Sequence, residues 1–101
     1  LGQSALASAT NTVVYTVPTG YFTVLSVNVL NRGTTAVSIR MALAATSTPT
    51  NAEYIEYDVQ VGANGVMERT GLMMNAGKNL VVYASNANVS VNAFGIETST
   101  T

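Results

Sequence analysis

Apolar and polar side chains alternate along most of this chain, and that period of two confines it to extended strands. In Val37-Ser38-Ile39-Arg40-Met41-Ala42-Leu43-Ala44, the odd positions carry Val, Ile, Met and Leu, while the even ones carry Ser, Arg and Ala. A strand sends successive side chains to opposite faces, whereas a helix would scatter both sets around its axis. β-Branched and aromatic residues carry the pattern elsewhere, and they suit a pleated, half-buried surface. By the same parity Val13, Tyr15 and Val17 share a face, as do Leu25, Val27 and Val29 against Ser26 and Asn28. Ile55, Tyr57 and Val59 oppose Tyr54, Glu56 and Asp58.

Turn chemistry punctuates these runs. Pro18-Thr19-Gly20 fits a type I turn, because Pro presets φ and Gly relieves the exit. Asn31-Arg32-Gly33 predicts a tight hairpin joining the strand Tyr21–Asn31 to the strand 36–45. The breaker-rich stretch 46–51 predicts a loop that crosses from one sheet to another. Gly62-Ala63-Asn64-Gly65 and Asn75-Ala76-Gly77 are further turns. Gly71 separates the apolar pieces 66–69 and 72–74, which predicts a bulged strand or one that changes sheet. Asn86-Ala87-Asn88 predicts a final hairpin between 80–85 and 89–96.

About seven or eight short strands and no helical segment predict an all-β fold, a single antiparallel β-sandwich of jelly-roll-like or Ig-like type. The jelly-roll form is favoured, since the Cys and Trp of an antibody-type domain are missing. The 101 residues make one domain, with residues 1–11 expected as an N-terminal arm that orders on a neighbour and 98–101 as a flexible tail. The opening decapeptide lacks a basic segment and a continuous apolar run, so it does not read as a signal peptide. No stretch approaches the ~18 consecutive apolar residues of a spanning helix, and no membrane partner is expected.

Charged residues make up 9% of the chain against roughly 25% in an ordinary domain, so 8 Ser, 14 Thr and 10 Asn must supply the wet surface. A net charge of -1 provides little field for steering toward nucleic acid, and none is expected as a partner. It also provides little repulsion between copies, which favours association. With neither Cys nor His, thiolate nucleophiles, imidazole bases and the usual zinc, copper and haem ligand sets are excluded. Single glycines at turns form no phosphate-binding loop.

Glu53, Glu56, Asp58 and Glu68 are the candidate carboxylates, with Glu56 and Asp58 on one face by parity. A glycosidase needs two carboxylates at a fixed separation in a cleft, and calcium needs six or more oxygens from a loop; acids inside one strand meet neither demand. The reading is therefore no catalytic residue, no metal and no cofactor. Arg40, Glu56, Asp58 and Arg69 each interrupt a neutral face and are the candidates for polar contacts with a partner, the arginines also being cross-strand partners for the acids. Tyr15, Tyr21, Tyr54, Tyr57 and Tyr83 could stack on sugar or single-stranded nucleic acid, but core or interface packing is the stronger expectation. Met67, Met73 and Met74 form an apolar group that fills the core or faces a partner.

Tyr15-Thr16-Val17-Pro18-Thr19-Gly20, the strand ending in Asn31-Arg32, Ile39-Arg40-Met41-Ala42-Leu43-Ala44, Tyr54-Ile55-Glu56-Tyr57-Asp58 and Met67-Glu68-Arg69-Thr70-Gly71 together resemble small β-sandwich virion structural proteins of tailed bacteriophages, of the capsid decoration or cement type. The resemblance covers most of the chain and rests on packing and turn motifs. It implies a non-enzymatic protein on the capsid exterior that associates with copies of itself as a dimer or trimer. It also implies that the major capsid protein is the partner it clamps. A tail, neck or fibre module for assembly or receptor binding is the alternative within the same class. From the residues alone, a carbohydrate-binding module using Tyr54, Tyr57 and Glu56 is a third possibility.

Overall fold

Residues 2–100 are described by a computed structural model of the chain. Its eight strands are β1 (Gly2–Ala5), β2 (Thr12–Thr16), β3 (Tyr21–Asn31), β4 (Val37–Ala44), β5 (Tyr54–Val61), β6 (Val66–Met74), β7 (Asn79–Ala84) and β8 (Val89–Ser99). A single 3₁₀ turn, Asn51–Glu53, precedes β5. One four-stranded sheet has the order β1-β8-β3-β6 and the other β2-β7-β4-β5, all pairs antiparallel. This follows from winding one long antiparallel ribbon, in which β1 lies on β8, β2 on β7, β3 on β6 and β4 on β5, into two layers. The contacts β3–β8 and β4–β7 then close each sheet. The expected all-β sandwich is what forms, in the jelly-roll order.

That winding corrects three expected connections. Asn31-Arg32-Gly33 and Asn86-Ala87-Asn88 do not close hairpins: each carries the chain from one sheet to the other. The stretch 46–51 does not cross but joins β4 to β5 within one sheet, the only sequence neighbours among the described strands that pair directly. Turn residues report where a chain reverses, and a reversal between layers uses the same glycines and asparagines as a reversal within one.

The ends differ from expectation too. Gly2–Ala5 pairs with 90–93 of β8 and Leu6 is in the core at 2% exposure, so most of the expected arm belongs to the sandwich. At the other end β8 runs to Ser99, and Thr100 donates its backbone N–H to the Gly20 carbonyl at 2.9 Å, where a tail is expected from residue 98. Leu1 and Thr101 lie outside the described residues.

Between the sheets lie Leu25, Val27 and Val29 of β3, Val37, Ile39 and Met41 of β4, Leu80 and Val82 of β7, and Val89 and Val91 of β8. Each such side chain contributes about 1.5–3 kcal/mol by leaving water. Thr23 and Asn31 are buried with them. The Asn31 amide donates to the carbonyls of Thr35, Val61 and Gly62, and its oxygen accepts the Gly33 N–H, so one side chain ties the β3–β4 crossover to the β5–β6 turn. The Tyr15 hydroxyl donates to Glu97 Oε2 at 2.6 Å, which leaves Thr23 Oγ1, 2.8 Å away, to donate to Tyr15. Burial, followed by the neighbouring carboxylate, pushes the Tyr15 phenol above its ordinary value.

Bulges overturn the strand parity in two places. In β2 the extra residue is Val14, so Val13 turns outward at 38% exposure while Tyr15 and Val17 point inward. In β5 the register against β4 slips twice: Met41 faces Glu56, with Ile39 opposite Val59 and Ala42 opposite Tyr54. Asp58 takes φ +54 there, a conformation Asp tolerates better than most residues. β6 is one strand, bulged at Gly71 (φ +68), so it does not change sheet.

Candidate functional site

The two bulges in β5 place Tyr54, Tyr57 and Asp58 together on the outer face of the β2-β7-β4-β5 sheet. Tyr57 and Asp58 both oppose Arg40 of β4, two residues against one. Arg40 Nε donates to Asp58 Oδ1 at 2.7 Å, and its guanidinium carbon lies 4.3 Å from the Tyr57 ring centre and 4.7 Å from that of Tyr83. The cation is thus stacked against two rings and neutralised by one carboxylate. Its attraction to Asp58 holds the guanidinium further above its already high ordinary value. Tyr54 meets Tyr57 edge to face, with ring centres 5.1 Å apart and planes at 82°. Ala42, Ala44 and Val81 form a small apolar floor against which Tyr54 packs.

An open depression of about 470 Å³ is lined by Asn51, Tyr54 and Tyr57. Asn51 stands on the 3₁₀ turn, whose position is set by Glu53: that carboxylate accepts the Thr50 N–H through Oε1 and the Ala45 N–H through Oε2, both at 2.9 Å. These backbone donors, Thr50 first, hold the Glu53 carboxyl below its ordinary range.

Of the four residues expected at a partner surface, the fold makes two ion pairs. Arg40–Asp58 lies on the outer face of its sheet, and Arg69 Nη1 of β6 reaches Glu56 Oε1 of β5 at 2.6 Å, from one sheet to the other. Glu56 and Asp58 do not share a face, because the bulge at Asp58 separates them. The sugar-binding grouping loses Glu56, because the slip between Met41 and Ala42 puts Tyr54 on the other face from it, and gains Asn51. Asp in a strand interior, and two tyrosines three residues apart, were the signals available for that bulge. Among the described residues no three His, Cys, Asp or Glu side chains gather to hold a metal.

A second surface lies on the outer face of the β1-β8-β3-β6 sheet. Ile96 pairs with Val24, and Val24 with Met73, giving an apolar row across three strands. These side chains are 71%, 44% and 62% exposed, and Phe94 beside them is 53% exposed. The methionine group is thereby split, with Met74 in the core, Met67 packed against it and Met73 outside. The next rows are polar: Asn92, Asn28 and Glu68 lie in register, and Asn28 Nδ2 donates to Glu68 Oε1 at 3.2 Å.

The order β1-β8-β3-β6 over β2-β7-β4-β5 defines an eight-stranded jelly-roll sandwich with one aromatic and one apolar outer face. No family model, curated protein or solved structure matches the chain.

Proposed function

We propose that the chain is a non-enzymatic virion structural protein that binds the outside of a capsid shell as an oligomeric decoration or cement protein. The observation that carries this reading is the exposed row Ile96, Val24 and Met73 with Phe94, which has no charged side chain within it. A contiguous apolar patch rimmed by polar residues is what a protein surface presents to another protein. Low charge adds little repulsion between copies or against a shell. The phage-like packing and turn motifs point the same way.

Purified protein added to undecorated phage shells tests the reading. Saturable occupancy at symmetry-related positions and a raised shell melting temperature are expected. Ile96→Thr together with Met73→Gln is expected to abolish that binding while leaving the fold intact, since both side chains are on the surface. Failure of the unaltered protein to bind any shell overturns the proposal. Location in the particle separates the shell from a tail, neck or fibre: hundreds of copies per virion indicate the former.

A further inference from the structure

We infer that the corner formed by Asn51, Tyr54 and Tyr57 is a binding subsite for an uncharged carbohydrate. This goes beyond the shell-binding reading and rests on the opposite face of the sandwich.

Two rings at 82° make two walls of an open corner, and one of them, Tyr57, is 56% exposed. A pyranose has an apolar face of C–H bonds and a rim of hydroxyls. The face packs on an aromatic ring, and the rim needs donors and acceptors at its edge. Asn51 supplies both from a single amide, and the tyrosine hydroxyls add more. The volume of about 470 Å³ takes roughly one or two sugar rings, at the small end of ligand sites.

The charge pattern selects among aromatic-stacking ligands. Arg40 stacks on Tyr57, one wall of the corner, and Asp58 already neutralises it at 2.7 Å; Lys78 acts on Glu53, in the turn that bears Asn51. A nucleotide or sulfated sugar brings anionic groups that would have to compete with Asp58. A neutral sugar leaves the ion pair in place.

The walls are also held before any ligand arrives. Tyr57 is held by the Arg40 guanidinium 4.3 Å from its ring centre and by the edge contact with Tyr54, and Glu53 fixes the turn that bears Asn51. Side chains already immobilised lose little freedom on binding, so an open site can still select its ligand.

Titration of the intact protein with linear hexasaccharides of glucose, mannose and N-acetylglucosamine, followed by tyrosine fluorescence and NMR, tests the assignment. At least one is expected to bind saturably. Tyr57→Ala and Asn51→Ala should each weaken it about tenfold or more. Phe94→Ala, on the other sheet, should leave sugar affinity unchanged, and unchanged amide spectra elsewhere in each variant verify that it is folded. Absence of saturable binding to all three sugars overturns the inference, as does affinity indifferent to Tyr57→Ala. If the Tyr54 and Tyr57 signals change only when shells are added, the corner is a protein contact and the inference also fails. Shell binding is read with the Ile96 and Met73 variants, so either proposal can fail while the other stands.

Discussion

Arg69 of β6 and Glu56 of β5 meet at 2.6 Å across the open side of the sandwich, joining the edge strand of one sheet to the edge strand of the other. The Arg69 side chain is 40% exposed, so water screens the pair and its contribution should be at most about 1 kcal/mol. A double-mutant cycle with Arg69→Met and Glu56→Gln, measured by urea unfolding, is expected to give a coupling in that range that shrinks with added salt. A coupling of several kcal/mol would contradict a screened pair.

Asn31 should matter more than any ion pair. Asn31→Ala removes three donated hydrogen bonds and the acceptor for Gly33, leaving backbone groups beneath two crossovers without a partner. A loss of about 2–4 kcal/mol is expected in chemical denaturation. Asn31→Asp keeps the acceptor but sets a carboxylate against three carbonyls, so it should be less stable at neutral than at mildly acid pH. Equal stability at both would show that the carbonyls have found water instead.

Gly95 of β8 pairs with Leu25 of β3. It has φ +157, and a Cβ there would overlap the Val24 carbonyl oxygen and sit 2.7 Å from Leu25 Cα. Gly95→Ala must therefore push β8 away from a core strand, with an expected cost of more than about 3 kcal/mol. Gly20→Ala, where the added Cβ meets nothing within 4 Å, carries only the cost of its backbone conformation and should be the milder change. The ratio of the two unfolding midpoints checks the argument, and reversal of their order would refute it.

Glu53 couples the β4–β5 connection to acid. Its carboxyl is held below the ordinary 4.5 by backbone N–H groups, so the folded form releases its proton more readily than the unfolded chain. The stabilisation is therefore present above the unfolded value and fades as pH falls through the lower, folded one. Protection of the Ala45 and Thr50 amides, taken relative to the intrinsic exchange rate at each pH, should fall in that acid window. Glu53→Gln should remove the pH dependence, and its persistence in that variant would place the cause elsewhere.

Strand content was legible because a period of two needs no tertiary information: parity puts Leu25, Val27 and Val29 on one face of their strand and Val37, Ile39 and Met41 on one face of theirs, and both faces lie in the core. Parity failed at Val13 and Tyr57, where one extra residue turns a side chain to the other face. A bulge is decided by what the partner strand presents, and Val13 looks locally like any alternating valine. Asn31 reads locally as a turn residue; of its three carbonyl partners Thr35 lies in the same connection, and Val61 and Gly62 are brought to it only by the winding of the ribbon. Asn51 is one more polar residue of the stretch 46–51 in the sequence, and it acquires meaning only beside the rings of Tyr54 and Tyr57.

By itself the sequence determined that the chain builds strands, which residues most of them bury, and that catalysis by thiolate or imidazole is impossible, because periodicity and inventory are local properties. Tertiary structure alone decided that turns read as hairpins are crossovers between sheets, that Glu56 and Asp58 part company, and that Arg40 sits against two tyrosines. Those outcomes depend on which strands meet and in what register, and register is set by the packing of the whole sandwich, which no segment of the chain encodes alone.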